Sequence, residues 1–219
     1  MAGTIFEAII RRDVESVRSA LRNEETVELR DGEGRTPLLL AALLGYEEIL
    51  LEILRHKPQL EIQDDEGDTA LLIAATLGRA PITLALTRAG ALPDGEGPFP
   101  KETPLMSAAE ISADCVKILL AAGAEVNAQN EAGSTPLMGA VHNDLLDCAR
   151  ILIGAGANPN LRDLNGRTAL FHAVSSGHDE MCELLLGSGA DPELADTAGI
   201  RPRSLVQHLK NEALRRRLQ

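Results

Sequence analysis

Short apolar runs recur along this chain at a nearly constant interval, each opened by a threonine. They begin Thr36-Pro37-Leu38, Thr69-Ala70-Leu71, Thr103-Pro104-Leu105, Thr135-Pro136-Leu137 and Thr168-Ala169-Leu170, in steps of 33, 34, 32 and 33 residues. Five residues after each threonine stands a small pair: Ala41-Ala42, Ala74-Ala75, Ala108-Ala109, Ala140-Val141 and Ala173-Val174. A second apolar stretch follows, such as Val116, Leu119 and Leu120, or Ile151 and Leu152. It closes on Gly90-Ala91, Gly123-Ala124, Gly156-Ala157 or Gly189-Ala190. Ahead of the threonines lie polar tetrads running from Asp31 to Gly34, Asp64 to Gly67, Asn130 to Gly133 and Asp163 to Gly166. A fifth runs from Asp196 to Gly199.

Each recurrence has a physical cause. Threonine caps a helix N-terminus, and proline suits the first helical position. A small pair keeps one helix face thin, so neighbouring helices can approach. Glycine after an apolar helix supplies the left-handed residue that ends it. Asp/Asn-to-Gly tetrads have turn chemistry. The predicted unit is therefore turn, helix, short loop, helix, loop, and the predicted class is an all-α solenoid of stacked units.

These residues resemble the ankyrin repeat, whose pattern reads D-x-x-G-x-T-P-L-x-x-A-A-x-x-G, then a leucine-rich helix and G-A-D/N-x-N. The resemblance covers nearly the whole chain. It implies one continuous domain over 1–219, with about seven helix-turn-helix units. Internal repeats are expected at 31–63, 64–97, 98–129, 130–162 and 163–195. Residues 1–30 fit an N-terminal capping repeat, with Ala8 lying 33 before Ala41 and Val14, Val17 and Leu21 on its second-helix face. Residues 196–219 fit a C-terminal cap with Leu205, Leu209 and Leu214 turned inward. Caps need a polar outer face, because nothing stacks beyond them.

Three departures from the family pattern stand out. The histidine usual two residues after Thr-Pro is replaced by Leu39, Leu72, Met106, Met138 and Phe171, so apolar packing is expected there. Lys57-Pro58 occupies a Gly-Ala position, and a distorted corner is expected. The link over 91–102 lacks the tetrad and carries Pro98, Phe99 and Pro100, which predicts an irregular finger with Phe99 as an aromatic anchor.

Composition narrows the function. Aromatics are 2% of the chain, with no Trp, which argues against base-stacking platforms. The net charge of −12 argues against wrapping phosphate backbones, so no nucleic acid is expected. The charge is uneven: residues 1–195 hold 15 basic and 31 acidic side chains, and residues 196–219 hold 6 and 2. Arg215, Arg216 and Arg217 fit the C-terminal end of a last helix, where they complement its dipole. The N-terminus lacks a signal-peptide pattern, no stretch is apolar enough to span a bilayer, and the three Cys have no CxxC spacing. A cytoplasmic, disulfide-free monomer is expected, with no membrane partner.

Catalytic chemistry has no motif to stand on: GxSxG, HExxH, P-loop and dinucleotide fingerprints are all missing from the sequence. Asp64-Asp65-Glu66-Gly67-Asp68 superficially suggests calcium, but Gly67 is misplaced for the loop and no Glu closes it. Cys115, Cys148 and Cys182 read as small buried hydrophobes, and five scattered His make no ligand set. No metal, cofactor or catalytic residue is assigned.

The resemblance places partner contacts at turn tips and at the two residues after the small pair. Here these include Ile10 in the cap, then Leu43, Leu44, Leu77 and Ile111, a row that would form an apolar patch if exposed. The turn tips add Asp65, Glu66 and Asp68 among other carboxylates. An apolar strip with an acidic rim suits a protein partner with a basic, partly apolar surface. The expected function is a non-enzymatic scaffold or adaptor acting through its concave face and turn tips. The alternative is a stoichiometric, immunity-type inhibitor masking a basic active site.

Overall fold

The computed structural model describes residues 4–95 and 102–218. Among them are thirteen α-helices, two 3-10 helices and no strand. The cap helices are α1 (Ile5–Ile10) and α2 (Val14–Ala20), followed by a 3-10 turn at Glu24–Glu28. Five helix pairs follow. They are α3 (Pro37–Leu44) with α4 (Glu47–Leu54), α5 (Ala70–Thr76) with α6 (Ala80–Ala89), and α7 (Pro104–Ala109) with α8 (Ala113–Ala121). The last two are α9 (Pro136–His142) with α10 (Leu146–Gly154), and α11 (Ala169–Ser176) with α12 (Asp179–Gly187). A 3-10 segment at Pro202–His208 and α13 (Glu212–Leu218) close the stack. No helix among the described residues is long and apolar enough to cross a membrane.

The threonines cap as expected. The hydroxyls of Thr36, Thr69, Thr103, Thr135 and Thr168 each accept the backbone N–H three residues on, at 3.2–3.4 Å. All five are buried, so these bonds are made away from water. The small pairs of α3, α5, α7, α9 and α11 are also fully buried, and each inner helix packs on the next. Leu39, Leu72, Met106, Met138 and Phe171 are buried too, which replaces a polar link by apolar contact at every unit. The second helices add Ile49, Leu50, Ile53, Ile82, Leu86 and their counterparts, giving one continuous apolar core along the stack.

The tetrads form one repeated turn. Asp31, Asp64, Asn130, Asp163 and Asp196 each accept, through one side-chain oxygen, the N–H groups two and four residues on. The glycine of each turn is left-handed, with φ between 72° and 83°. Turns also join tip to tip: the Asp65, Leu164 and Thr197 N–H groups donate to Glu33, Ala132 and Asn165 carbonyls.

A second ladder runs along the opposite edge. Glu28, Glu61, Asp94, Asn127 and Asn160 stand 33 residues apart. Each accepts a backbone N–H of the next unit, from residues 59, 92, 125, 158 and 191, at 2.8–2.9 Å. The regular polar spacing is plain in the sequence once its role is known.

Two local expectations change. The Lys57-Pro58 corner keeps its shape, because Lys57 takes the left-handed conformation (φ 53°) that glycine takes at Gly90, Gly123, Gly156 and Gly189. Pro58 lacks the N–H that Ala91, Ala124, Ala157 and Ala190 donate back into their helices, so one bond is lost and not the fold. The C-terminal cap opens with a 3-10 segment in place of a first α-helix; Leu209 and Leu214 are buried as expected, Leu205 only half. The finger carrying Phe99 lies outside the described residues.

Candidate interaction groove

The groove is lined by residues at fixed offsets from the capping threonines. Four residues on stand Leu40, Ile73, Ser107, Gly139 and His172, and seven on stand Leu43, Thr76, Glu110, His142 and Ser175. The lining therefore changes from aliphatic in the first two internal units to polar in the last three. The pre-threonine position reads Arg35, Asp68, Glu102, Ser134 and Arg167. At the two ends of that series the charges are already engaged. Arg35 pairs with Asp31 at 2.9 Å and with Glu33, while Arg167 lies over the Phe171 ring and 3.6 Å from Asp196. The two carboxylates between them, Asp68 and Glu102, have no ion pair among the described residues.

The predicted contact residues separate into two groups. The first meets in a cleft of about 360 Å³ between the first two turn tips. Leu43 and Ile73 line it with Asp64, Asp65, Glu66 and Asp68, and so does Arg35, whose guanidinium is taken up by Asp31 and Glu33. Asp64 spends one oxygen on the turn, but the exposed side chains of Asp65 and Glu66 face solvent. Burial, then the charges of Asp64 and Glu66, push the Asp68 carboxyl above its ordinary range. A cation placed here would relieve that cost.

The second group lies where the inner helices end. Ile10, Leu77 and Ile111 are exposed at 61%, 45% and 55%, whereas Leu43 and Leu44 are half-buried against the core. The row read from the sequence is thus exposed at Ile10, Leu77 and Ile111 and half-buried between them. Arg79 explains part of this: its guanidinium sits against Gly45 and donates to the Leu43 carbonyl at 2.9 Å. Arg12 likewise lies over the Tyr46 ring at 5.3 Å. Ser112 stands nine residues after Thr103, where the other second-helix N-caps stand ten after their threonines, and its hydroxyl caps α8 by accepting the Cys115 N–H. Ile111 lies just before this cap. Its side chain then covers Gly78, beside Leu77.

Other candidate chemistry resolves into structure. Cys115, Cys148 and Cys182 are buried free thiols. Burial raises the Cys148 thiol and, with nearby carboxylates, pushes Cys182 up to about 12, so neither is a thiolate near neutrality. His178 opens α12 and bonds the Val141 carbonyl of the preceding unit. No group of three or more His, Cys, Asp or Glu among the described residues is arranged to hold a metal.

Comparison with known proteins agrees with this architecture. A family profile described as ankyrin repeats (three copies) matches residues 5–96 and 105–196. A search of curated proteins returns no match. Among solved structures, the ankyrin repeat domain of Bcl-3, described as a unique member of the IkappaB family, superposes with a TM-score of 0.87 at 22% identity. That match covers 98% of this chain and 96% of that one. The human ASB11 ankyrin repeat domain superposes with a TM-score of 0.83 at 21% identity, covering 99% and 96%. At these identities the two structures speak for the fold. The family match, with its capped helices, turn tetrads and stacked cores, shows that this chain belongs to the ankyrin repeat family.

Proposed function

We propose that this chain is a non-catalytic binding module for a protein with a basic, partly apolar surface, engaged along the inner groove and the N-terminal turn tips. Ankyrin repeat domains generally mediate protein–protein contacts, and a stacked fold offers an extended surface for them. One observation carries the finer reading: the cleft that Leu43 and Ile73 line with Asp64, Asp65, Glu66 and Asp68. Arg35 lines the cleft too but is paired with Asp31 and Glu33, so an apolar lining with carboxylates in excess matches an aliphatic stem carrying a positive head. Ile10, Leu77 and Ile111 extend the apolar contact beyond that cleft.

The test is capture of partners from lysate by three proteins: wild type, Leu77→Arg/Ile111→Arg, and Asp65→Lys/Glu66→Lys. A protein retained by wild type and lost by both variants, with both melting curves unchanged, supports the reading. Equal capture by all three places binding elsewhere on the molecule. Assaying the captured protein with and without this chain then separates scaffold from inhibitor: a scaffold leaves its activity intact, an immunity-type inhibitor abolishes it.

A further inference from the structure

A second cleft, of about 170 Å³, opens further along the groove between α7 and α9. Met106 and Met138, both nearly fully buried, form its floor, and Glu102 and Glu110 stand at its edge. His142 and His172 flank it, and His172 is held in the frame by Asp163, 2.9 Å from its Nε2. Asn130 donates to Glu102 at 3.3 Å. Glu102 has no cationic neighbour among the described residues, and Glu110 likewise has no ion pair there.

Gly139 also lines the cleft. It is the single glycine within the five inner helices, and a helix-interior glycine is less favourable than alanine. The other units carry Leu40, Ile73, Ser107 and His172 at this position. The Glu110 side chain lies across the opening, its Cγ 3.0 Å from where a Cβ on residue 139 would stand. Gly139 has an ordinary helical φ, so no turn or left-handed bend demands it. What it provides is room for the Glu110 side chain to lie beside the cleft that Met106 and Met138 line.

We propose that this cleft receives an arginine side chain of the bound protein, its stem on Met106 and Met138 and its guanidinium facing Glu102 and Glu110. This rests on the reading of the chain as a protein-binding module and adds a specific anchor midway along the stack. Arginine fits better than lysine. Its guanidinium is weakly hydrated, so it loses less on entering a half-enclosed site, and its fork of donors can serve two carboxylates together. Methionine gives a polarizable, adaptable surface for the stem.

The experiment needs no identified partner. Methyl-labelled methionine spectra of the full chain are titrated with Nα-acetyl-arginine methylamide, its lysine analogue and its neutral citrulline analogue. The arginine compound should shift the Met106 and Met138 methyls saturably, citrulline should not, and lysine should bind more weakly. Glu102→Gln should weaken the arginine response about tenfold or more, and Gly139→Leu should remove it. The probe response needs no partner, so failure of the partner surface and failure of this anchor are read separately. Equal shifts with citrulline, tighter binding of lysine, or no saturable shift at either methionine would overturn the proposal. If Gly139→Leu unfolds, the Glu102→Gln and citrulline comparisons still decide it.

Discussion

Asp68 shows how one residue can be poor for the fold and good for a partner. Its carboxyl is raised by burial and by Asp64 and Glu66, so it binds protons more readily folded than unfolded. That contribution is greatest below the unfolded value and disappears as pH rises through the folded one. At neutral pH the charged side chain therefore destabilises the chain. Asp68→Asn should raise the urea midpoint near neutrality, with the gain vanishing in acid where both forms are neutral. The same variant should weaken partner binding, and acidification of wild type should do likewise. Glu102, raised by burial and Glu110 against the opposing Asn130 bond, should behave in parallel. Lys57 is the opposite case, strained with no evident gain. Lys57→Gly should stabilise by up to about 1 kcal/mol, seen as a higher midpoint at unchanged slope.

Helices and turns were the most legible level of the sequence. The threonines, small pairs, tetrads and terminal glycines all act as their spacing implied, because each works through local backbone chemistry. Thr135→Ala removes a buried cap and should cost about 1 kcal/mol, measurable by chemical denaturation. What spacing could not give was exposure. Leu44 and Leu77 occupy equivalent positions, yet Leu44 is half-buried and Leu77 is open. Leu44 packs against the core, and Arg79, one unit on in sequence, closes over the neighbouring Leu43 carbonyl and Gly45. Leu44→Arg should accordingly lower the melting temperature, while Leu77→Arg should not. The second cleft was hidden for a similar reason: Gly139 reads as an ordinary small residue until Glu110 is seen lying across it.

At the scale of the molecule, the lining and the charge both vary along the stack. Acidic turn tips and an aliphatic floor occupy the first units, a polar lining the later ones, and a basic segment the end. A partner matched to this gradient would be oriented before contact, since long-range attraction favours one direction of approach. The association rate should therefore fall as salt rises, while dissociation changes little; stopped-flow at several ionic strengths checks this. A flat response would leave the apolar contacts as the sole source of recognition.

The acceptor ladder of Glu28, Glu61, Asp94, Asn127 and Asn160 has a polarity of its own. Every rung reaches from one unit to the backbone of the unit after it. A cut between units thus leaves a bare side-chain acceptor on the leading piece and a bare amide on the trailing one, both at exposed positions that water can serve. The rungs therefore set the register of each unit on the last, and resistance to peeling from either end comes from the buried core.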